Sequence, residues 1–134
     1  MENKDKEMFI KNKKSFKRFT KSFGYAEEGI RYAFYHEQNI IVMFIAGIIA
    51  IVLGIVFNIS YLERLVLILL IGMVLALELL NTAIEAVVDL HDGEKRSHYG
   101  KVAKDCASGA VAIASIFAFI VGLIVFIPHI VRLF

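Results

Sequence analysis

Cysteine and proline each occur once in this 134-residue chain. The lone cysteine, Cys106, excludes an internal disulfide and reads as a small residue near a helix start. With Pro128 the only proline, there is no proline-rich linker, and no glycine-rich linker or internal repeat appears either. One domain is therefore expected. No small-residue cleavage pattern follows the first long apolar run, which starts only near residue 39. A removable leader is not expected, and that run is read as its own insertion signal.

What fills the chain is apolar: 58% of its residues are hydrophobic, against about 45–50% for soluble domains. The excess is uneven. Residues 1–38 are rich in Lys, Glu and Asn, whereas almost everything from Ile40 onward is apolar apart from two short polar gaps. Such a pattern describes a small integral membrane protein with a basic amino-terminal segment. Nine of the fifteen Lys and Arg precede residue 32, and Lys95, Arg96, Lys101 and Lys104 sit in the second gap. Positive residues mark the cytoplasmic side. The amino terminus and the 91–104 loop are expected inside, the 57–64 turn and the carboxyl terminus outside. Three spans satisfy that alternation.

Residues 1–14 are mostly charged and read as a disordered basic tail. From 15 to about 35, Phe16, Phe19, Phe23, Ile30 and Phe34 recur at helical spacing, with Lys17, Arg18, Lys21, Glu27, Glu28 and Arg31 between them. Phenylalanines on one side and cations on the other suit a helix lying in the membrane interface. Spans are expected at about 39–57, 62–90 and 104–127, with Pro128 ending the third. Ala46, Ala50 and Gly54, and again Ala110, Ala114, Ala118 and Gly122, recur every four residues as seams for close helix contact.

Glu78, Asn81, Glu85 and Asp89 fall within roughly 80° of one another around the second span. An ionised carboxyl near a bilayer centre costs about 2.5–3.5 kcal/mol on insertion scales, so it is rare without a task or a partner. Entering from outside near Arg64, the chain places Glu78 roughly 20 Å along and Glu85 roughly 30 Å. Glu78 is then within the inner leaflet, beside lipid headgroups, and Glu85 reaches the cytoplasmic interface. Polar residues can also simply join helices. Two glutamates with an asparagine between them favour a functional site.

Groups from the other spans reach the same level. Glu37 lies at the inner edge of span one; Lys104, Asp105 and Ser108 open span three within about 100° of arc. The start of span three is a helix amino terminus facing the cytoplasm, which favours phosphate. Glu37 and Glu85 could hold Mg²⁺, and Lys104 could neutralise a phosphate. Gly93 and Gly100-Lys101 are separated by six residues and followed by Val102, so no P-loop is present, nor is a protein-kinase glycine loop. The residues alone give a membrane-embedded carboxylate site for metal and phosphate, with phosphoryl transfer to a membrane alcohol as the chemistry it suggests.

The run from Glu78 to Asp89 (ELLNTAIEAVVD), followed by 103–111 (AKDCASGAV), closely resembles the prokaryotic diacylglycerol kinase family, which includes undecaprenol kinases. The likeness extends from about Phe16 and takes in Arg18, Lys21, Gly24-Tyr25, Gly29, Arg31 and Glu37 in order. The resemblance implies an all-α integral membrane protein with three transmembrane helices and an amphipathic surface helix, assembled as a homotrimer that uses ATP and Mg²⁺. It further implies Glu78 as catalytic base, Asn81 as the neighbour that places the acceptor hydroxyl, and Glu37 and Glu85 as metal carboxylates. Arg18, Tyr25, Glu37, Glu85, Lys104 and Asp105 would contact nucleotide, as would the loop residues Glu94, Lys95 and Arg96. Ser108 and Arg18 would line the lipid site. His91, His98 and Tyr99 read as loop residues.

Residues 15–134 are thus expected to form one plasma-membrane lipid kinase domain that binds no nucleic acid. The wording of 78–85 and 122–128 is closer to the undecaprenol kinase branch, so undecaprenol is expected as acceptor ahead of diacylglycerol. Two other classes remain open at this stage. A transporter could use carboxylates at this depth, and a structural membrane subunit could use the stripe to join helices.

Overall fold

The computed structural model describes residues 2–133 apart from 94 and 96, with side chains described from residue 17. Four helices follow in order: α1 Glu2–His36, α2 Gln38–Val56, α3 Tyr61–Asp92 and α4 His98–Val131. No strand occurs among the described residues. Helices α2, α3 and α4 are each long and apolar enough to cross a membrane. Only 17%, 28% and 17% of their most apolar windows are buried within the chain. The rest faces outward, where only hydrocarbon or another apolar surface tolerates it.

The backbone is helical from Glu2, ahead of the surface helix expected from residue 15. The carboxyl-terminal part of α1 rests on α2 and α3: Ala33 is buried, and the Phe34 and Phe44 rings meet edge to face at 5.4 Å. Glu37 breaks the chain between α1 and α2, its backbone extended at φ −115° and ψ 116°. It stands at the N-cap of α2 without bonding that helix through its side chain. Its carboxyl is left for other partners.

Helix α2 approaches α3 along a glycine seam. A Cβ on Gly47 would lie 2.8 Å from Ile71 Cγ2, and one on Gly54 2.8 Å from Ile59 Cδ1. The contact line is thus Gly47, half-buried Ala50 and Gly54, whereas Ala46, expected in the seam, is exposed. On α4 the buried positions are Gly100, Val111, Ala114 and Val125; Ala118 and Gly122 are half-buried and Ala110 is exposed. An apolar cluster of Ile59, Leu67 and Val125, flanked by Phe57, Val121 and Phe126, closes the end of the bundle farthest from Glu37.

The connections are shorter than the sequence suggests. Asn58 takes the left-handed conformation (φ 49°), which asparagine tolerates better than most residues. Ser60 and Glu63 then form a reciprocal capping box: Glu63 N donates to Ser60 Oγ at 3.3 Å and Ser60 N donates to Glu63 Oε2 at 2.7 Å. At the other end, α4 begins at His98 rather than near 104, because Ser97 caps it and Asp92 holds Ser97. His91 therefore lies in α3, and His98 and Tyr99 in α4, not in a loop. Pro128 does not end α4 either. Only its own N–H is missing, and the helix runs on to Val131 with Arg132 N donating to Pro128 O at 3.3 Å.

Ser60→Ala removes half of the capping box and is expected to cost about 1 kcal/mol. Thermal unfolding in detergent should show a lower midpoint; an unchanged midpoint would mean the cap contributes nothing to the fold.

Candidate functional site

Along α3 the buried face changes character. Leu67 and Val74 occupy it in the half near Ser60; Glu78, Asn81 and Thr82 occupy it farther on. Seven- and four-residue steps keep all of them on one side of the helix. Helix packing has therefore enclosed polar groups where the same geometry elsewhere encloses aliphatic ones. Glu78 is 1% exposed, Thr82 5% and Asn81 7%. Glu78 and Ile40 are the largest fully buried side chains.

The hydrogen bonds among these groups are incomplete. Thr82 Oγ1 donates to the Glu78 carbonyl at 3.0 Å, and Asn81 Nδ2 donates to Glu85 Oε1 at 2.9 Å. Among the described residues, Glu78 Oε1 and Asn81 Oδ1 are buried with no hydrogen-bond partner. Leaving such a group unsatisfied costs about 1–3 kcal/mol. Around the Glu78 carboxyl, Glu37 and Glu85 act electrostatically, and the Asn39 side chain is its hydrogen-bonding neighbour. Glu37 at the α1–α2 junction and Glu85 on α3 thus lie within electrostatic reach of the Glu78 carboxyl.

This arrangement fits a hard divalent cation brought in with phosphate. Among the described residues no three His, Cys, Asp or Glu side chains form a metal-binding group by themselves. Magnesium commonly needs only one or two protein carboxylates, completing its shell with water and phosphate oxygens. Half-buried Glu37 and Glu85 flank the enclosed Glu78 and offer oxygen donors of that kind.

One turn beyond Glu85, Asp89 Oδ1 accepts from Lys104 Nζ at 2.6 Å, which links the ends of α3 and α4. Their side chains are 67% and 33% exposed, so the cation remains open to solvent on one side. A groove of about 390 Å³ separates α1 from α3. Gly29, Ile30, Ala33, Leu79, Thr82 and Ala86 are among its walls, which are almost wholly apolar.

Of the residues singled out from sequence, the fold thus gathers Glu37, Glu78, Asn81 and Glu85. Lys104 is tied to the same end of α3. Arg18 and Tyr25 are exposed on α1, Lys95 is exposed after α3, and Asp105 and Ser108 are exposed on α4. The described contacts do not join these five to Glu78. Glu94 and Arg96 lie outside the described residues. Sequence reading passed over Asn39 and Thr82. A single asparagine at a helix start and a threonine beside an asparagine carry little signal until burial and partners are known.

Comparison with known proteins gives a consistent picture. Residues 24–126 match the family model described as prokaryotic diacylglycerol kinase. The chain is 40% identical over 112 residues to a diacylglycerol kinase of Synechocystis; the match covers 84% of this chain but 64% of that longer protein. It is 40% identical over 111 residues to the undecaprenol kinase of Bacillus subtilis, covering 83% of this chain and 89% of the relative. With the diacylglycerol kinase of Escherichia coli it shares 36% over 118 residues, covering 88% and 96%.

If Glu78 is retained for chemistry rather than as a helix joint, an apolar replacement should stabilise the fold. Glu78→Leu removes an unsatisfied buried group and is expected to gain about 1–2 kcal/mol. The melting midpoint of the detergent-solubilised variant should rise. A clear fall would make the carboxyl a structural tie.

Proposed function

This chain belongs to the prokaryotic diacylglycerol kinase family of membrane-embedded lipid kinases, and from that premise we propose that it moves the γ-phosphoryl group of ATP to undecaprenol. The observation that carries the proposal is Glu78, fully buried, with an unpartnered oxygen and two further carboxyls beside it.

A lipid hydroxyl reaching Glu78 Oε1 meets the free acceptor it needs. Glu78 takes the hydroxyl proton while the lipid oxygen bonds to the γ-phosphorus, and the bond from that phosphorus to the bridging oxygen of ADP breaks. The products are the lipid phosphate and ADP. Asn81, which donates through its amide nitrogen to Glu85, helps to place the incoming hydroxyl. Glu37 and Glu85 would hold Mg²⁺, which when bound offsets negative charge on the phosphates. Lys104 supplies a fixed positive charge at the same end.

The acceptor's chain lies in the apolar groove between α1 and α3, whose walls include Leu79 and Thr82, the neighbours of Glu78 on α3. Arg18, Tyr25, Asp105 and Ser108 join the site from a neighbouring copy in a homotrimer, Arg18 and Ser108 toward the lipid and Arg18, Tyr25 and Asp105 toward the nucleotide. Glu94, Lys95 and Arg96 contact the nucleotide. Residues 15–134 form the kinase domain of a plasma-membrane protein. The amino terminus and the α3–α4 turn face the cytoplasm, where ATP is, and the carboxyl terminus lies outside.

Undecaprenol is preferred because of the wording of 78–85 and 122–128, and the 40% identity to the Bacillus subtilis undecaprenol kinase against 36% to the Escherichia coli diacylglycerol kinase supports it. A diacylglycerol acceptor, giving phosphatidic acid, is favoured by the equal identity to the Synechocystis protein.

With radiolabelled ATP, reconstituted protein and both lipids side by side, label is expected first in undecaprenyl phosphate. Label in phosphatidic acid alone would replace the acceptor, and no labelled lipid with either would end the kinase reading. Glu78→Gln is expected to lose roughly a thousandfold in turnover at unchanged ATP affinity. Near-normal turnover removes Glu78 from the chemistry.

A further inference from the structure

The turn between α3 and α4 is tied more tightly than a connection between two long helices requires. The Asp92 carboxylate accepts the Ser97 backbone N–H at 2.9 Å and the Ser97 hydroxyl, with Oγ 2.8 Å from each carboxylate oxygen. Ser97 Oγ in turn accepts Gly100 N at 2.9 Å. Gly100 is buried against this pair. A Cβ there would collide with Asp92 Oδ2 and come within 2.8 Å of Ser97 Oγ and 2.9 Å of Val88 Cγ1. Only glycine lets the start of α4 lie this close to the end of α3.

The staple has a definite target. Lys104 lies seven residues beyond Ser97, two turns along α4 on nearly the same face. Asp89 lies three residues before Asp92, one turn back on α3. Asp89 grips the Lys104 ammonium at 2.6 Å while Asp92 grips the Ser97 backbone at the start of the same helix. Asp92 also lies within electrostatic reach of Lys104. An ion pair this exposed contributes little to stability. The geometry instead removes freedom from a flexible ammonium that stands one turn from Glu85.

We propose that Asp92 is a positioning residue for nucleotide binding, acting through Ser97 and Gly100 to hold Lys104 where it meets the phosphates. The inference rests on the kinase reading above and adds to it a group that touches neither substrate. Asp92→Ala frees the first turn of α4, so Lys104 must be ordered when nucleotide binds. The loss then appears in ATP affinity rather than in the chemical step.

A double-mutant cycle on the reconstituted protein tests this, read by equilibrium binding of a fluorescent ATP analogue and by KM for ATP against kcat. In the parent, Asp92→Ala is expected to weaken binding and raise KM by about fivefold with kcat little changed. Asp92→Asn, which keeps an oxygen for the Ser97 N–H, should recover part of the loss. In a Lys104→Ala background, Asp92→Ala should add almost nothing to the loss of analogue binding. Equal weakening in both backgrounds, or no change in affinity in the parent, overturns the proposal. If Asp92→Ala is not recovered folded, Ser97→Ala takes its place with the same expectations. A parent protein that binds no nucleotide overturns the kinase reading itself, a result distinct from a parent that binds ATP indifferently to Asp92.

Discussion

A carboxyl group enclosed among membrane helices with one oxygen unpartnered is the constraint on which the rest of this structure depends. Hydrocarbon offers no hydrogen bonds and screens charge poorly, so such a group destabilises the chain that carries it. The fold answers by burying Glu78 in protein, with the Asn39 side chain of α2 as its hydrogen-bonding neighbour. The enclosure stops short of satisfying it. Glu37 and Glu85 bring the same sign of charge to the same place. A purely structural joint would instead pair donors with acceptors.

From that point the division of labour along α3 follows. Its first half packs aliphatic side chains against α2 and α4, with a glycine seam and an apolar cluster that need no polar help. Its second half carries the carboxyl stripe toward the Asp92–Ser97 turn. Aliphatic packing gives way to buried polar groups along one helix, with about one turn between Val74 and Glu78. The extended backbone at Glu37 belongs to the same logic. By breaking α1 from α2 it leaves a carboxyl with no duty to its own helix.

Much of the fold was legible because long apolar runs and charge asymmetry are strong signals, and α2, α3 and α4 coincide with the three expected spans. Their inner ends were not. Hydropathy follows the membrane, whereas α3 and α4 continue as helices beyond the apolar runs, with Ser97 capping α4 and Asp92 holding Ser97 through contacts that composition does not encode. The seam moved from Ala46 to Gly47 because spacing by four marks a helix face only to within a residue. The stripe of Glu78, Asn81 and Glu85 was readable from spacing, since polar residues repeated on one face of a membrane helix are too costly to persist without a partner or a reaction. Roles for Arg18, Tyr25, Asp105 and Ser108 came from resemblance, and within one chain these side chains remain apart from Glu78.

The central claim is that Glu37, Glu78 and Glu85 form one site with separate duties, two for a nucleotide-borne cation and one for the acceptor proton. Electron paramagnetic resonance of Mn²⁺, used in place of Mg²⁺ with a non-hydrolysable ATP analogue, addresses it most directly. Bound Mn²⁺ should be lost in Glu37→Gln and in Glu85→Gln and kept in Glu78→Gln. Mn²⁺ held equally well by all three variants would contradict it.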